Sequence, residues 1–243
     1  MKNVAVAIAI LVVSQAACGA SPLQKQHNHQ GAAAVSFRNR SAVMRYLRPV
    51  LRANHRTALL YYSATCGDSP DSFEFPEITM QPPPREKAAI ASITRILRGN
   101  RQVAVIAGRS GVIKIRIGTV PPSLLATRIS RLRFKPIEQY NPDPAISALE
   151  NTREVRTAMR VLRVRPLLTV RGSELLSPPA PGSRHLPPLM KNVTVNQVLE
   201  SIAQTFQGVV TYGLCMQSQG SGLVSISFVG VAGPLANLHV YYP

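Results

Sequence analysis

The sequence contains no tryptophan, and aromatic residues make up only 5% of its 243 positions. A stacking platform for single-stranded nucleic acid or sugar rings needs several aromatics, so that class of ligand is disfavoured and the core has to be built from aliphatic side chains. Acidic residues are scarce as well: 11 Asp and Glu stand against 28 Lys and Arg, a formal charge of +17. Such a field attracts anionic polymers or anionic lipid surfaces, although it says nothing about fold. His55, His185 and His239 sit in no metal-ligand spacing, and there is neither a Gly-x-Ser-x-Gly elbow nor a phosphate loop. Cysteines number three, Cys18, Cys66 and Cys215, and the longest apolar run, residues 4–13, is too short to span a bilayer.

What is present begins with compartment. Met1-Lys2-Asn3 is a short positive head, residues 4–13 are apolar, and Ser14-Gln15-Ala16-Ala17-Cys18-Gly19 is a small-residue tail. This is the layout of a secretory signal, so residues 1–20 read as a signal peptide and the chain is expected to be exported: periplasmic, tethered to the outer membrane, or secreted. Ala16-Ala17-Cys18-Gly19 resembles the cleavage box of bacterial lipoproteins, in which the cysteine becomes the lipidated first residue, but Gln15 stands where that box has an aliphatic residue. Cys18 is therefore a candidate lipidation site, with cleavage after Ala16 or Ala20 as the alternative, and a lipid would be the expected membrane anchor. With Cys18 lipidated or removed, Cys66 and Cys215 remain as an even pair in an oxidising compartment. Both end similar extended runs, so a disulfide would staple the two halves of the chain; two unpaired buried thiols are the other reading.

The clearest element is the stretch 191–208. Val195, Val198, Leu199, Ile202, Ala203 and Phe206 recur at helical spacing, leaving Asn196, Glu200 and Gln204 for solvent. Thr194 and Gln197 form a capping-box pair, and Gly208 is expected to supply a left-handed stop. A strand follows over 209–212 and, past a Gly/Ser turn, another over 223–229. The same order occurs earlier at a constant offset of 109, where Ala91-Ser92-Ile93-Thr94-Arg95-Ile96-Leu97-Arg98-Gly99 aligns with residues 200–208 and strands follow over 102–107 and 112–117. Ile113, Ile115 and Ile117 alternate with Lys114 and Arg116, the period of a sheet with one wet face.

The remaining segments complete an α+β reading: two related helix–strand–strand modules, 39–135 and 183–243, joined by a basic helix-containing segment, 136–182. The first module also holds a helix over 41–53, kinked or restarted at Pro49, and a strand over 57–63. Asp68, Asp71, Glu74 and Glu77 fall in a proline-rich loop that lacks the Gly-centred alternation of a calcium loop. The joining segment reads as a basic edge strand leading in (Arg131 to Phe134), one long helix from Asp143-Pro144 to about Leu162, a strand over 167–170 and a proline-rich linker over 177–182. Residues 21–38 read as a flexible tether whose His27 and His29 are solvated, and residues 238–242 as a closing strand.

Asn192-Val193-Thr194-Val195-Asn196-Gln197-Val198-Leu199-Glu200, followed by Gly208-Val209-Val210-Thr211-Tyr212, resembles the short N-terminal domain shared by secretins and TonB-dependent receptors, with a weaker likeness over 78–117. The usual Gly-Thr-Gly-Leu-like turn is here Phe206-Gln207-Gly208-Val209, and no secretin core or barrel is expected. The resemblance implies a small periplasmic interaction module that binds partner proteins and does no chemistry.

The leading expectation is thus a non-enzymatic envelope protein whose sheet edges accept a strand or helix from another envelope protein. The alternative is electrostatic, with Arg128, Arg131, Arg133, Arg153, Arg156, Arg160, Arg163 and Arg165 holding an anionic polymer or lipid head groups. Arg153, Arg156, Arg160 and Arg163 recur at three- and four-residue steps, where like charges repel unless an anion relieves them. Specific nucleic-acid binding is not expected of an exported chain. The third reading is an enzyme using Cys66 as nucleophile, which a bond to Cys215 would preclude. No catalytic residue, metal site or cofactor is assigned.

Overall fold

The computed structural model describes residues 35–37, 40–67, 73–80, 89–97, 101, 103–107, 111–167, 182–217 and 220–231. Cys18 and the signal, most of the tether, Asp68, Asp71, Gly99, most of the expected strand 167–170 and linker 177–182, and the expected closing strand lie outside the described residues. In chain order the elements are β1 (Val35–Phe37), α1 (Arg40–Ala53), β2 (Thr57–Ser63), β3 (Thr65–Cys66), β4 (Phe73–Glu74), β5 (Ile78–Met80), α2 (Ala89–Ile96), β6 (Val103–Ala107), β7 (Val112–Ile117), β8 (Arg128–Arg133), α3 (Pro136–Tyr140), α4 (Pro142–Glu150), α5 (Arg153–Val161), β9 (Val164–Pro166), β10 (Leu189–Thr194), α6 (Val195–Thr205), β11 (Gly208–Met216) and β12 (Gly222–Gly230). The class is mixed α+β.

Six strands form the main sheet in the order β6-β7-β2-β11-β12-β9, with β2 paired in parallel to β7 on one side and to β11 on the other. The hairpins β6–β7 and β11–β12 are antiparallel, and β9 adds in parallel to β12 at the far edge. The central strand β2 reads Thr-Ala-Leu-Leu-Tyr-Tyr-Ser, almost without alternation, because helices cover both of its faces. Ala58, Leu60 and Tyr62, with Ile113, Ile115 and Ile117, pack against α1 and α2; Leu59 and Tyr61, with Val210, Tyr212, Leu214, Val224 and Ile226, pack against α4, α5 and α6. Two cores therefore lie back to back across one sheet, each mainly aliphatic as the composition requires. On the α1 side, Arg40 at the helix start reaches across to donate to Ser227 Oγ (2.7 Å) and Thr211 Oγ1 (3.3 Å).

Both helix–hairpin units exist, but the hairpins of 39–135 and 183–243 share this single sheet, and β8 and β10, one from each segment, pair in a second. They also differ in setting. α2 lies on one face and α6 on the other, and β2 is joined by the second strand of the first hairpin but by the first strand of the second. The helix–hairpin order repeats along the chain without repeating a position relative to the sheet.

Four local expectations change. The long basic helix is two helices: Thr152 caps α5, its Oγ1 accepting from Val155 N (3.4 Å) and donating to Leu149 O (2.9 Å), so the chain turns at Asn151-Thr152. Ile146, Leu149, Val155 and Met159 are buried all the same, which is why periodicity alone did not reveal the break. Of the kink or restart expected at Pro49, the restart is not found: α1 runs through it, and Pro49 faces solvent, where the carbonyl one turn back can be hydrated instead of bonded. At the end of α6 the left-handed residue is Gln207 (φ 50°), not Gly208. Gly208 is needed for space, since a Cβ there would lie 2.2 Å from the Phe228 ring and 2.6 Å from Val229 O. The N-terminal end of α6 is as expected: Thr194 Oγ1 accepts from Gln197 N (3.2 Å) and Gln197 Oε1 from Thr194 N (2.7 Å). Within the expected tether, residues 35–37 form β1 against β5.

Candidate functional site

The parallel register of β2 and β11 decides the cysteines. Ser63 lies beside Leu214, and Ala64 N donates to Leu214 O (2.8 Å), which carries the next residues of the first strand up to the end of the second. Cys66 and Cys215 are joined there in a disulfide, their Cα atoms 5.3 Å apart across a sequence separation of 149. In this state Cys66 carries no thiol for nucleophilic catalysis.

The eight arginines fall in three places. Arg128, Arg131 and Arg133 are exposed along β8, which pairs with β10 in a separate two-stranded sheet. Arg153, Arg156 and Arg160 are exposed on α5, while Arg163 follows that helix in a left-handed turn (φ 54°) and Arg165 lies on β9. Glu154 ties α5 to β8: its Oε1 accepts from Ser130 Oγ (2.6 Å) and Ser130 N (3.1 Å), and these hydrogen bonds hold the carboxyl below the usual range. Arg156, Arg160 and Arg165 are brought together in one groove of about 760 Å³, with Met159, Val164 and Leu167 among its apolar residues and Glu150 among its polar ones. Arg128, Arg131, Arg133, Arg153 and Arg163 do not line it.

The opposite edge of the sheet carries an arrangement that periodicity did not reveal. Asn196 and Glu200, expected in water, are half-buried on the inner side of α6. Tyr61 Oη donates to Asn196 Oδ1, Asn196 Nδ2 donates to Glu200 Oε1 (2.7 Å), and Glu200 pairs with Lys114 Nζ on β7. Burial, with the Glu200 charge adding, pushes the Tyr61 phenol well above its ordinary range, so it stays a donor. Beside this chain lies a groove of about 400 Å³ in which Ile106, Val120, Pro122 and Leu125 meet Lys114 and Arg116. A second groove of about 590 Å³, lined by Ser63, Thr65, Arg101, Ala104, Arg116 and Thr119 among others, adjoins it through Arg116. The two flank β6, whose Ile106 is 52% exposed.

Among the described residues β6 pairs only with β7, so its other edge offers backbone donors and acceptors. The far edge is different. On β9, Arg163 O accepts from Gly222 N and Leu167 N donates to Val224 O, so 163, 165 and 167 face β12 while Val164 and Pro166 face outward. Pro166 has no N–H to offer an incoming strand.

Among the described residues no group of three or more His, Cys, Asp or Glu could hold a metal ion, and no helix is long and apolar enough to cross a membrane. His185 rests near the Tyr140 ring, centroids 5.3 Å apart. No family model, no curated protein and no solved structure matches this chain.

Proposed function

We propose that this chain is a non-enzymatic binding protein of the cell envelope that takes up an extended segment of another envelope protein along β6. The observation that carries the reading is the β6 edge itself: five residues without proline, paired on one side only among the described residues, with an apolar groove beside Ile106. Strand addition supplies main-chain hydrogen bonds, and pockets for alternate side chains supply selectivity. On the face shared with Lys114 and Arg116, Ile106 borders the apolar groove and Ala104 the basic one. These positions are two residues apart, about 7 Å along a strand. The fitting partner therefore presents an aliphatic and an acidic side chain at alternate positions of one strand. The secretory-signal layout and the likeness of residues 192–212 to short N-terminal domains of envelope receptors support the same class of role.

Selection of a displayed peptide library on the purified mature protein tests this. Enriched sequences should share the aliphatic-x-acidic pattern, protect the amides of residues 103–107 from hydrogen exchange, and bind at least about tenfold more weakly to Ile106→Glu, the change expected from losing one well-placed anchor. Enrichment without that pattern, or protection that spares β6, would sink the proposal.

A further inference from the structure

The groove between α5 and β9 lies at the other edge of the sheet from β6, and its chemistry is amphiphilic. Arg156 and Arg160 are one turn apart on α5, so their guanidinium groups can converge on one phosphate, and Arg165 joins them from β9. Arg156 and Arg160 are exposed, and neither forms an ion pair with a described residue. The apolar residues between them, Met159, Val164 and Leu167, have no role in holding a simple polyanion. Val161, the last residue of α5, is 76% exposed and lies about 100° round the helix from Arg160. Among the described residues no aromatic side chain lines the groove, so they provide none of the stacking surface that single-stranded nucleic acid uses.

We infer that this surface docks on a bilayer that contains anionic phospholipid, the arginines taking head-group phosphates and Val161 entering the interfacial apolar layer. A basic helix face flanked by an exposed aliphatic residue is the pattern of interfacial attachment, in which electrostatic attraction and a small buried apolar area act together. The charge of +17 adds long-range attraction but does not choose the face. The inference is independent of the strand-addition reading, and because the two surfaces lie at opposite sheet edges a docked molecule would keep β6 clear of the membrane.

Co-sedimentation of the purified mature chain with phosphatidylcholine vesicles, with and without phosphatidylglycerol, is the test. Binding should require phosphatidylglycerol. A basic residue at the surface contributes about fivefold, so Arg156→Gln/Arg160→Gln should weaken binding about 25-fold. The equal charge change Arg45→Gln/Arg52→Gln, on exposed positions of α1 across the sheet, should change it less than about threefold because those charges lie beyond a Debye length from the docked face. Val161→Asn, which alters no charge, should weaken vesicle binding severalfold and leave binding to soluble polyphosphate unchanged. All five substitutions are at exposed positions, and unchanged thermal melting would show that each variant folds. Failure to bind phosphatidylglycerol vesicles, equal losses from the α1 pair, or indifference of vesicle binding to Val161→Asn would each overturn the inference, the last in favour of a soluble anionic polymer.

Discussion

The disulfide lends itself to a worked prediction, because the fold states which loop it closes. Cys66 and Cys215 are separated by 149 residues, and in the chain-entropy model closing a loop of that size removes about 17 cal/mol/K from the unfolded ensemble, or about 5 kcal/mol at 25 °C. Denatured-state structure makes this an upper value. For a chain of this length each kcal/mol shifts the melting point by about 2–4 °C, so opening the loop should lower Tm by at most about 10–20 °C. The native fold should survive, since six residues of β2 remain paired with β11 and Ala64 N still meets Leu214 O. Urea unfolding of the oxidised protein, Cys66→Ala, Cys215→Ala and the double variant separates loop closure from local packing. Either single substitution opens the loop completely, so all three variants should lose similar stability and show the same increase in m. Additive losses, or a double variant with the midpoint and m of the oxidised protein, would refute the loop-closure account.

Gly208→Ala should cost about 1–3 kcal/mol, because its Cβ would meet the Phe228 ring and a β12 carbonyl, one of which is backbone and cannot move aside; a urea midpoint within error of wild type would show that β11 and β12 sit further apart than described. Tyr212→Phe should be neutral or stabilising by up to about 1 kcal/mol, since the buried Tyr212 hydroxyl finds no hydrogen-bond partner among the described residues and its removal spares a desolvated group. A clear loss of stability would reveal a partner. Burial raises the phenols of Tyr61, Tyr62 and Tyr212 above the ordinary value of 10.0. Each therefore holds its proton in the folded state at a pH where the unfolded chain has lost it, so stability is full below that value and falls as pH rises beyond it. Absorbance titration of the native protein should show these three tyrosines ionising only on unfolding, and three normal native-state phenolates in their place would contradict the packing.

Legibility tracked periodicity and caps. β2 and β7 were legible to the residue because their apolar runs are bounded by turn residues, and the start of α6 because Thr194 and Gln197 write it locally. The Asn151-Thr152 turn was missed for the converse reason: the inward residues keep helical spacing through it, and only the Thr152 cap marks the break. The candidate site was hardest to see. Periodicity reports which residues leave the apolar face, so it put Asn196 and Glu200 in water; what engages them is Tyr61, 135 positions before Asn196, and Lys114 on a different strand. That meeting is set by strand order, which a single sequence carries only weakly. The arginine stripe was legible as a charge pattern, but its groove is completed by β9, three residues long and too short to announce itself.

The same strand order explains why the two edges suit different ligands. With β2 central and both neighbours parallel to it, each hairpin turns its outer strand antiparallel, and the sheet ends on β6 at one side while β12 still needs a cover at the other. The chain supplies that cover with β9, directly after α5, and sets Pro166 in the outward register. The proline discourages another strand there, and the step from helix to strand puts Arg156, Arg160 and Arg165 side by side. At β6 no proline intervenes, and Ile106 stands half-exposed beside an apolar groove. One edge is thus blunted against strands and lined with cations, while the other, among the described residues, keeps its backbone available. If Pro166→Val let the library select strands at β9 as readily as at β6, backbone availability would be what assigns the edges; if selection stayed on β6, the groove beside Ile106 would be.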